Sequence, residues 1–263
     1  LTDMRAFSNQ DNFKIFTKEE VFSLEKSKMN SDIVYASSAR SIYKSQDKGK
    51  SWDKIYTIGK INKKINTLYI YPKSFDVFAA TQDGLYESNN QGGDWQRIFS
   101  GSSDLENDCM NIAKTSNATY VGTRAGLFVR YNQIEKWAQP FEQLSEGVIS
   151  SIVIDPQNED IVYIACERGI FKTVDNGKVL ERIFVVYGSE VPEEDYSDFD
   201  GEVTDKVIAI HDIVMPFHKA DWLYIATIKG IFVSKNGGEG WERVTSFGLP
   251  SLSVYSLMVS DTG

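Results

Sequence analysis

Histidine and cysteine are scarce, with two of each in 263 residues. Cys109 and Cys166 cannot form a disulfide framework and show no C-x-x-C spacing. A disulfide-stapled scaffold and a cysteine-ligated metal centre are both excluded, and the two thiols read as small buried residues. No apolar run approaches the ~20 residues that a membrane-spanning helix needs. A basic surplus is missing as well: 28 Lys and Arg stand against 37 Asp and Glu, a net charge of −9. A general nucleic-acid binder, which needs clustered cations for phosphate, is therefore excluded. No basic-then-apolar leader opens the chain at Leu1, so any signal peptide is expected to have been removed already.

What is present describes a folded globular chain, 41% hydrophobic and 13% aromatic. Its acidity is local. Between Val185 and Asp205 lie eight acids (Glu190, Glu193, Glu194, Asp195, Asp198, Asp200, Glu202, Asp205) and no Lys or Arg, leaving 28 bases against 29 acids elsewhere.

Laid against itself, the chain repeats. The octet Ser45–Trp52 (SQDKGKSW) recurs as Ser88–Trp95, as a worn Arg130–Trp137, as Thr173–Leu180 and as Ser234–Trp241, at spacings of 43, 42, 43 and 61. A second marker moves in step: YASS from Tyr35, FAAT from Phe78, YVGT from Tyr120, YIAC from Tyr163 and YIAT from Tyr224. The long interval carries an 18-residue excess, and the acidic segment lies inside it. That segment is an insertion into a regular array.

Each repeat reads as four short strands. In the second copy these are Asn66–Tyr71, Asp76–Thr81, Gly84–Ser88 and Trp95–Phe99, divided by turn signals and without helical periodicity. Four antiparallel strands at a period near 43 predict an all-β chain, a β-propeller with one blade per repeat. Repeats span about 20–60, 61–103, 104–146, 147–186 and 206–250, the insertion 187–205, and 251–263 begins a further blade, all in a single domain over 1–263. In the octet, the third residue (Asp47, Asn90, Asn132, Asp175, Asn236) suits acceptance of backbone N–H bonds around a turn. Gly at the fifth position of four copies allows a positive φ, and Trp at the eighth covers the turn.

These residues carry a resemblance. The S-x-D-x-G-x-x-W octet, preceded by Y-x-A-T and G-[LI]-[YF] segments, resembles the Asp-box (BNR) repeat of sialidases, sortilin-type receptor domains and photosystem II assembly factors. It covers about residues 20–250. The resemblance implies structural roles for Asp47, Trp52, Asn90, Trp95, Asn132, Trp137, Asp175, Asn236 and Trp241. It does not choose a function, because hydrolases, receptors and assembly factors share the scaffold. Sialidase chemistry implies an Arg-Ile-Pro motif near the chain start; Arg5 and Arg40 are not followed by Ile-Pro. No catalytic residue and no cofactor is expected.

Topology places the interaction site. The turn between strands two and three and the link from strand four to the next blade share one face of the propeller, and the octets lie on the other. Arg40, Asp83, Ala125, Arg168 and Lys229 hold equivalent turn positions, with Arg124 beside Ala125, so a largely basic ring is expected on the first face. The insertion is expected to rise from that same face. Its Glu193, Glu194, Asp195, Tyr196, Asp198, Phe199 and Asp200 mix carboxylates with aromatics, as suits docking on a basic partner. Two other readings of the insertion stay open: a solvated loop partly neutralised by the basic ring, and a Ca²⁺ site of Asp198, Asp200 and Glu202, whose spacing does not match an EF-hand. His211 is expected in the innermost strand of the fifth repeat, aligned with Ser151 and Thr67. Asn117-Ala-Thr119 is a sequon at a turn between strands one and two.

After the fifth repeat, Ser251–Val259 resembles the first strand of another blade, aligned with Val148–Ile154. Either the two ends jointly complete a sixth blade or the propeller belongs to a longer polypeptide; the second is the expectation. The function expected is a non-enzymatic extracytoplasmic scaffold, secreted, periplasmic or surface-bound, that binds protein within a larger assembly. The alternative is a carbohydrate-binding or sialidase-like hydrolase propeller.

Overall fold

The structure is a computed structural model that describes residues 20–60, 62–175, 177–185, 209–219, 221–244 and 253–259. Five four-stranded antiparallel sheets account for nearly all of their regular structure. Blade one holds Ser23–Lys26, Val34–Ser37, Ser41–Ser45 and Asp53–Thr57 (β1–β4). Blade two holds Ile65–Ile70, Val77–Thr81, Gly84–Ser88 and Gln96–Phe99 (β5–β8). Blade three holds Cys109–Lys114, Ala118–Thr123, Gly126–Tyr131 and Trp137–Ala138 (β9–β12). Blade four holds Ile149–Ile154, Val162–Cys166, Gly169–Thr173 and Glu181–Phe184 (β13–β16). Blade five holds Ile210–Val214, Leu223–Thr227, Gly230–Ser234 and Glu242–Val244 (β17–β20). Among the described residues, the helical segments are one turn at Asp104–Asn107 and one 3-10 turn at Glu142–Leu144.

First strands pack on one another in chain order, β1 on β5, β5 on β9, β9 on β13 and β13 on β17, so they form the inner wall of the propeller. The second strands read as unbroken apolar runs because both of their faces are covered: all five residues of Val77–Thr81 and of Val162–Cys166 are buried. The core lies between blades, with residues of neighbouring sheets interdigitating in each cluster.

The octets fold as their chemistry dictates. Ser45 Oγ accepts from Gly49 N at 2.8 Å and donates to Asp47 Oδ1 at 2.7 Å, and Asp47 Oδ1 accepts from Ser51 N at 2.8 Å. The same turn recurs at Ser88–Trp95, Thr173–Leu180 and Ser234–Trp241. Gly49, Gly92, Gly177 and Gly238 all have φ between 80° and 96°, the region where a Cβ is penalised. The Trp indoles of copies one, two and five close the turn onto the carbonyls of Gly49, Gly92 and Gly238.

In the worn third copy the turn is closed by backbone, with Ile134 N and Glu135 N donating to the Tyr131 carbonyl. Asn132 instead donates to the Ser116 carbonyl, and Trp137 donates to the Ile98 carbonyl of blade two at 2.7 Å. Trp137 keeps one shared duty, packing on the strand-four aromatic of the preceding blade. Phe99–Trp137 (5.1 Å between ring centres) matches Tyr56–Trp95 (5.3 Å) and Phe184–Trp241 (4.7 Å).

At the inner wall a belt of side-chain hydrogen bonds ties each blade to the next. Ser23 Oγ accepts from Leu68 N; Asn66 donates to the Cys109 carbonyl; Asn111 donates to the carbonyls of Ile149 and Ser150; Ser151 donates to Asp212. Asp212 then accepts from Leu257 N at 3.0 Å and Ser256 Oγ at 3.2 Å, seating residues 253–259, which are not themselves a strand, against blade five. The register corrects the expected place of His211. Ser151 pairs with Ala165 and Thr67 with Ala80, and their equivalent opposite Ala226 is Asp212. His211 lies in a bulge that blades two and four repeat at Asn66 and Ser150.

Candidate functional site: the face of the strand two to three turns

Arg40, Asp83, Arg124, Arg168 and Lys229 all lie in or beside the turns between strands two and three, one turn per blade, and so share one face. Phe184 pairs with Ile170 next to the Gly169 turn, and Ile210 pairs with Thr227. Both anchors of the acidic segment therefore sit on that face. The segment itself, with Glu193, Glu194, Asp195, Tyr196, Asp198, Phe199, Asp200 and Glu202, lies outside the described residues, as does the Ca²⁺ reading that rests on it.

Local partners hold most of the turn cations. Arg40 donates to the Ile58 carbonyl at the end of its own blade. Arg124 Nε meets Asp108 Oδ2 at 2.7 Å, and Asn66 bonds the other oxygen of that carboxylate, joining blades two and three. Arg168 reaches Glu146 at 3.8 Å and the Gln143 carbonyl. No ion pair joins Lys229 to another described residue. The side chains of Arg124 and Arg168 stay 48% and 52% exposed, so their charge still faces outward.

Asp83 breaks the basic series and is the buried member. Lys60 and Tyr86 donate to it, and Arg97 stands 3.6 Å away. Burial alone would raise its carboxyl, but these bonds and the nearby cations hold it below the usual carboxylate range. Burial first, then the bond to Asp83, pushes the Tyr86 hydroxyl up to about 12.

A second set of cations joins the turn residues, one that the turn positions alone do not reveal. Arg97, Arg182 and Arg243 occupy one register position of strand four, opposite Tyr86, Phe171 and Phe232. Gly84 leaves room for Arg97: a Cβ there would sit 2.9 Å from Arg97 Nε. Arg243 lies across Gly230 in the same way, 3.7 Å from a Cβ built there. The signal was legible as a repeated [QE]-R-[IV] after the octet: Gln96-Arg97-Ile98, Glu181-Arg182-Ile183 and Glu242-Arg243-Val244.

One carboxyl away from this face is primed to titrate. Glu25, half-buried on β1 of the inner wall, is pushed up to about 7 by burial, against the pull of Lys28. A folded value above the ordinary 4.5 makes ionisation costly in the fold, so stability falls as pH rises from the usual carboxylate range through about 7. Glu25→Gln is expected to match the parent at pH 4 and to exceed it at pH 8 by on the order of 2 kcal/mol, read by denaturant unfolding at the two pH values.

No family model matches the chain, and no curated protein matches it in sequence. Solved structures do match in fold. An ancestral GH74 enzyme aligns with a TM-score of 0.68 and 19% identity over 92% of this chain. YCF48 bound to a D1 peptide aligns with a TM-score of 0.58 and 12% identity over 90% of this chain and 71% of its own. The extracellular domain of a hybrid two-component system from B. thetaiotaomicron aligns at 0.52, with 15% identity, over 92% and 37%. The fold is a β-propeller. At these identities the likeness carries fold alone, and this chain spans 33% of the ancestral GH74 chain. No described helix of the propeller is long and apolar enough to cross a membrane.

Proposed function

We propose that the protein is a non-enzymatic, extracytoplasmic binding scaffold that holds a protein partner on the face of the strand two to three turns. The observation that carries this reading is the convergence of cations at two repeat positions, Arg40, Arg124, Arg168 and Lys229 in the turns and Arg97, Arg182 and Arg243 on strand four, around the anchors of the acidic segment. Mixed charge on one rigid face suits steering and register of a charged partner. The mouth carboxylates are engaged in holding blades together, Asp83 by Lys60 and Tyr86, Asp108 by Arg124 and Asn66, and Asp212 by Ser151 and Ser256. The peptide bound to YCF48 supports protein recognition by such a propeller, and the extracellular neighbour supports the compartment. The reading includes membership of the Asp-box repeat family and a role as one subunit of a larger complex.

Deleting residues 189–204 is expected to leave the melting temperature unchanged while abolishing a partner captured by cross-linking. Charge reversal of Arg182 and Arg243, whose side chains are exposed, should do the same. A partner list unchanged in both variants sinks the proposal.

One observation favours a carbohydrate-active reading. Glu25, with its carboxyl near 7, has the proton affinity of a general acid in a propeller whose neighbours include GH74 enzymes. That reading expects glycan-array hits and hydrolysis lost in Glu25→Gln; an array without hits counts against it.

A further inference from the structure

Blade two supplies a carboxylate to the cations of its own turn, and blade five repeats the turn without one. In blade two, Thr81 Oγ1 donates to the Gly84 carbonyl at 2.8 Å and accepts from Asp83 N at 2.9 Å. In blade five, Thr227 Oγ1 donates to the Gly230 carbonyl at 2.8 Å and accepts from Lys229 N at 3.0 Å. Gly84 and Gly230 take φ of +103° and +111°. Across each glycine lies the strand-four arginine, Arg97 or Arg243, paired in register with Tyr86 or Phe232. The two turns share one backbone and differ in side chains.

The difference is one of charge. Asp83 puts a carboxylate over the blade-two turn, where Lys60 and Tyr86 donate to it at 2.5 and 2.9 Å and Arg97 stands 3.6 Å away. Blade five has Lys229 at the Asp83 position and Phe232 at that of Tyr86, so a second cation replaces the carboxylate. Among the described residues, no hydrogen bond or ion pair engages the side chain of Arg243 or of Lys229. Arg243 is exposed and Lys229 half-buried. The other blades do not share this arrangement. Arg40 is held by the Ile58 carbonyl, and blade three has Ala125 at the position. Arg168 is drawn to Glu146 and the Gln143 carbonyl, and the atoms nearest a Cβ built at Gly169 belong to Phe184 and Val185.

We infer that the Gly230 turn is a carboxylate-binding site, in which Arg243 and Lys229 take a carboxylate of the protein partner where blade two supplies Asp83. Two like charges on one turn repel, and an anion between them relieves the repulsion. The planar guanidinium fork of Arg243 matches a carboxylate, and the Lys229 ammonium adds a point charge. The inference rests on the scaffold reading above and narrows the partner to a chain that presents an acidic side chain or a free C-terminus at this turn.

The test titrates the whole chain with three octapeptides, followed by NMR at the arginine Nε–H groups. One alternates Glu and Ser and is amidated at its end; one alternates Gly and Ser and ends in a free carboxylate; one alternates Gln and Ser and is amidated. A carboxylate peptide should shift Arg243 saturably and leave Arg97, which already has Asp83, in place. The Gln peptide should shift neither. The first peptide acting alone names a side chain as the source, and the second names a terminus. Lys229→Asp gives Arg243 the acceptor that Arg97 has, on a backbone that already carries Asp in blade two. It should weaken the peptide roughly 3–10-fold by calorimetry, as should Arg243→Gln. Equal shifts at Arg97 and Arg243, no shift from either carboxylate peptide, or unchanged affinity in Lys229→Asp overturns the inference. So does peptide binding gained only when residues 189–204 are deleted, which would give the turn to the chain's own acidic segment. A parent chain that passes the titration but captures no partner by cross-linking sinks the scaffold reading and leaves the carboxylate site standing.

Discussion

Gly169→Ala is expected to lower the unfolding free energy by about 3–5 kcal/mol, which in a chain of this size moves the melting temperature by roughly 10 °C. Gly169 opens the third strand of blade four at φ +124°, a conformation that side chains resist. A Cβ there would stand 2.1 Å from the Phe184 carbonyl oxygen. That oxygen is backbone, so relief requires β15 and β16 to part where Ile170 pairs with Phe184. Gly84, at φ +103° with the Phe99 carbonyl 2.2 Å from its Cβ position, should behave alike. Gly59, exposed and with nothing within 4 Å of a built Cβ, is the control, and Gly59→Ala should melt with the parent. A neutral Gly169→Ala would mean that the turns on the candidate face lack this tight geometry.

The octet glycines, Gly49, Gly92, Gly177 and Gly238, belong to the reason why the fold was readable. Five octets and five Y-x-A-T segments hold one register, and each octet residue answers to a local need: a carboxylate or amide oxygen for turn N–H groups, a glycine for positive φ, an indole for cover. Such needs are met within eight residues, so sequence order carries them. The cations on the candidate face were partly readable for the same reason. Arg40, Arg168 and Lys229 occupy a repeated turn position, and Arg97, Arg182 and Arg243 stand at one repeated place just after the octets of their blades. Their counter-charges were not readable, because Asp108 and Glu146 stand in links between blades that do not repeat. The inner belt was within reach of the spacing. The same bulge opens the first strand at Asn66, Ser150 and His211, and the 61-residue interval between the octets of blades four and five also separates Ser151 from Asp212.

Asp212 makes the second large effect. Its two carboxylate oxygens accept from Ser151 Oγ, Ile213 N, Ser256 Oγ and Leu257 N, linking the inner strands of blades four and five to residues 253–259. Asp212→Ala strips all four donors of their acceptor. Ser151 is buried at 6% exposure and cannot turn freely to water. A buried donor left unpaired costs about 1–3 kcal/mol, so the total loss is expected at about 2–4 kcal/mol. Asp212→Asn keeps one acceptor oxygen and should lose about half as much. The loss should be local before it is global: hydrogen exchange at Leu257 N should rise in Asp212→Ala under native conditions, while amides of the buried second strand Val162–Cys166 keep their protection. Tyr255, whose ring lies tilted with its centre 4.8 Å from that of His211, should lose that contact. If Leu257 kept full protection in Asp212→Ala, residues 253–259 would be held by something other than the belt.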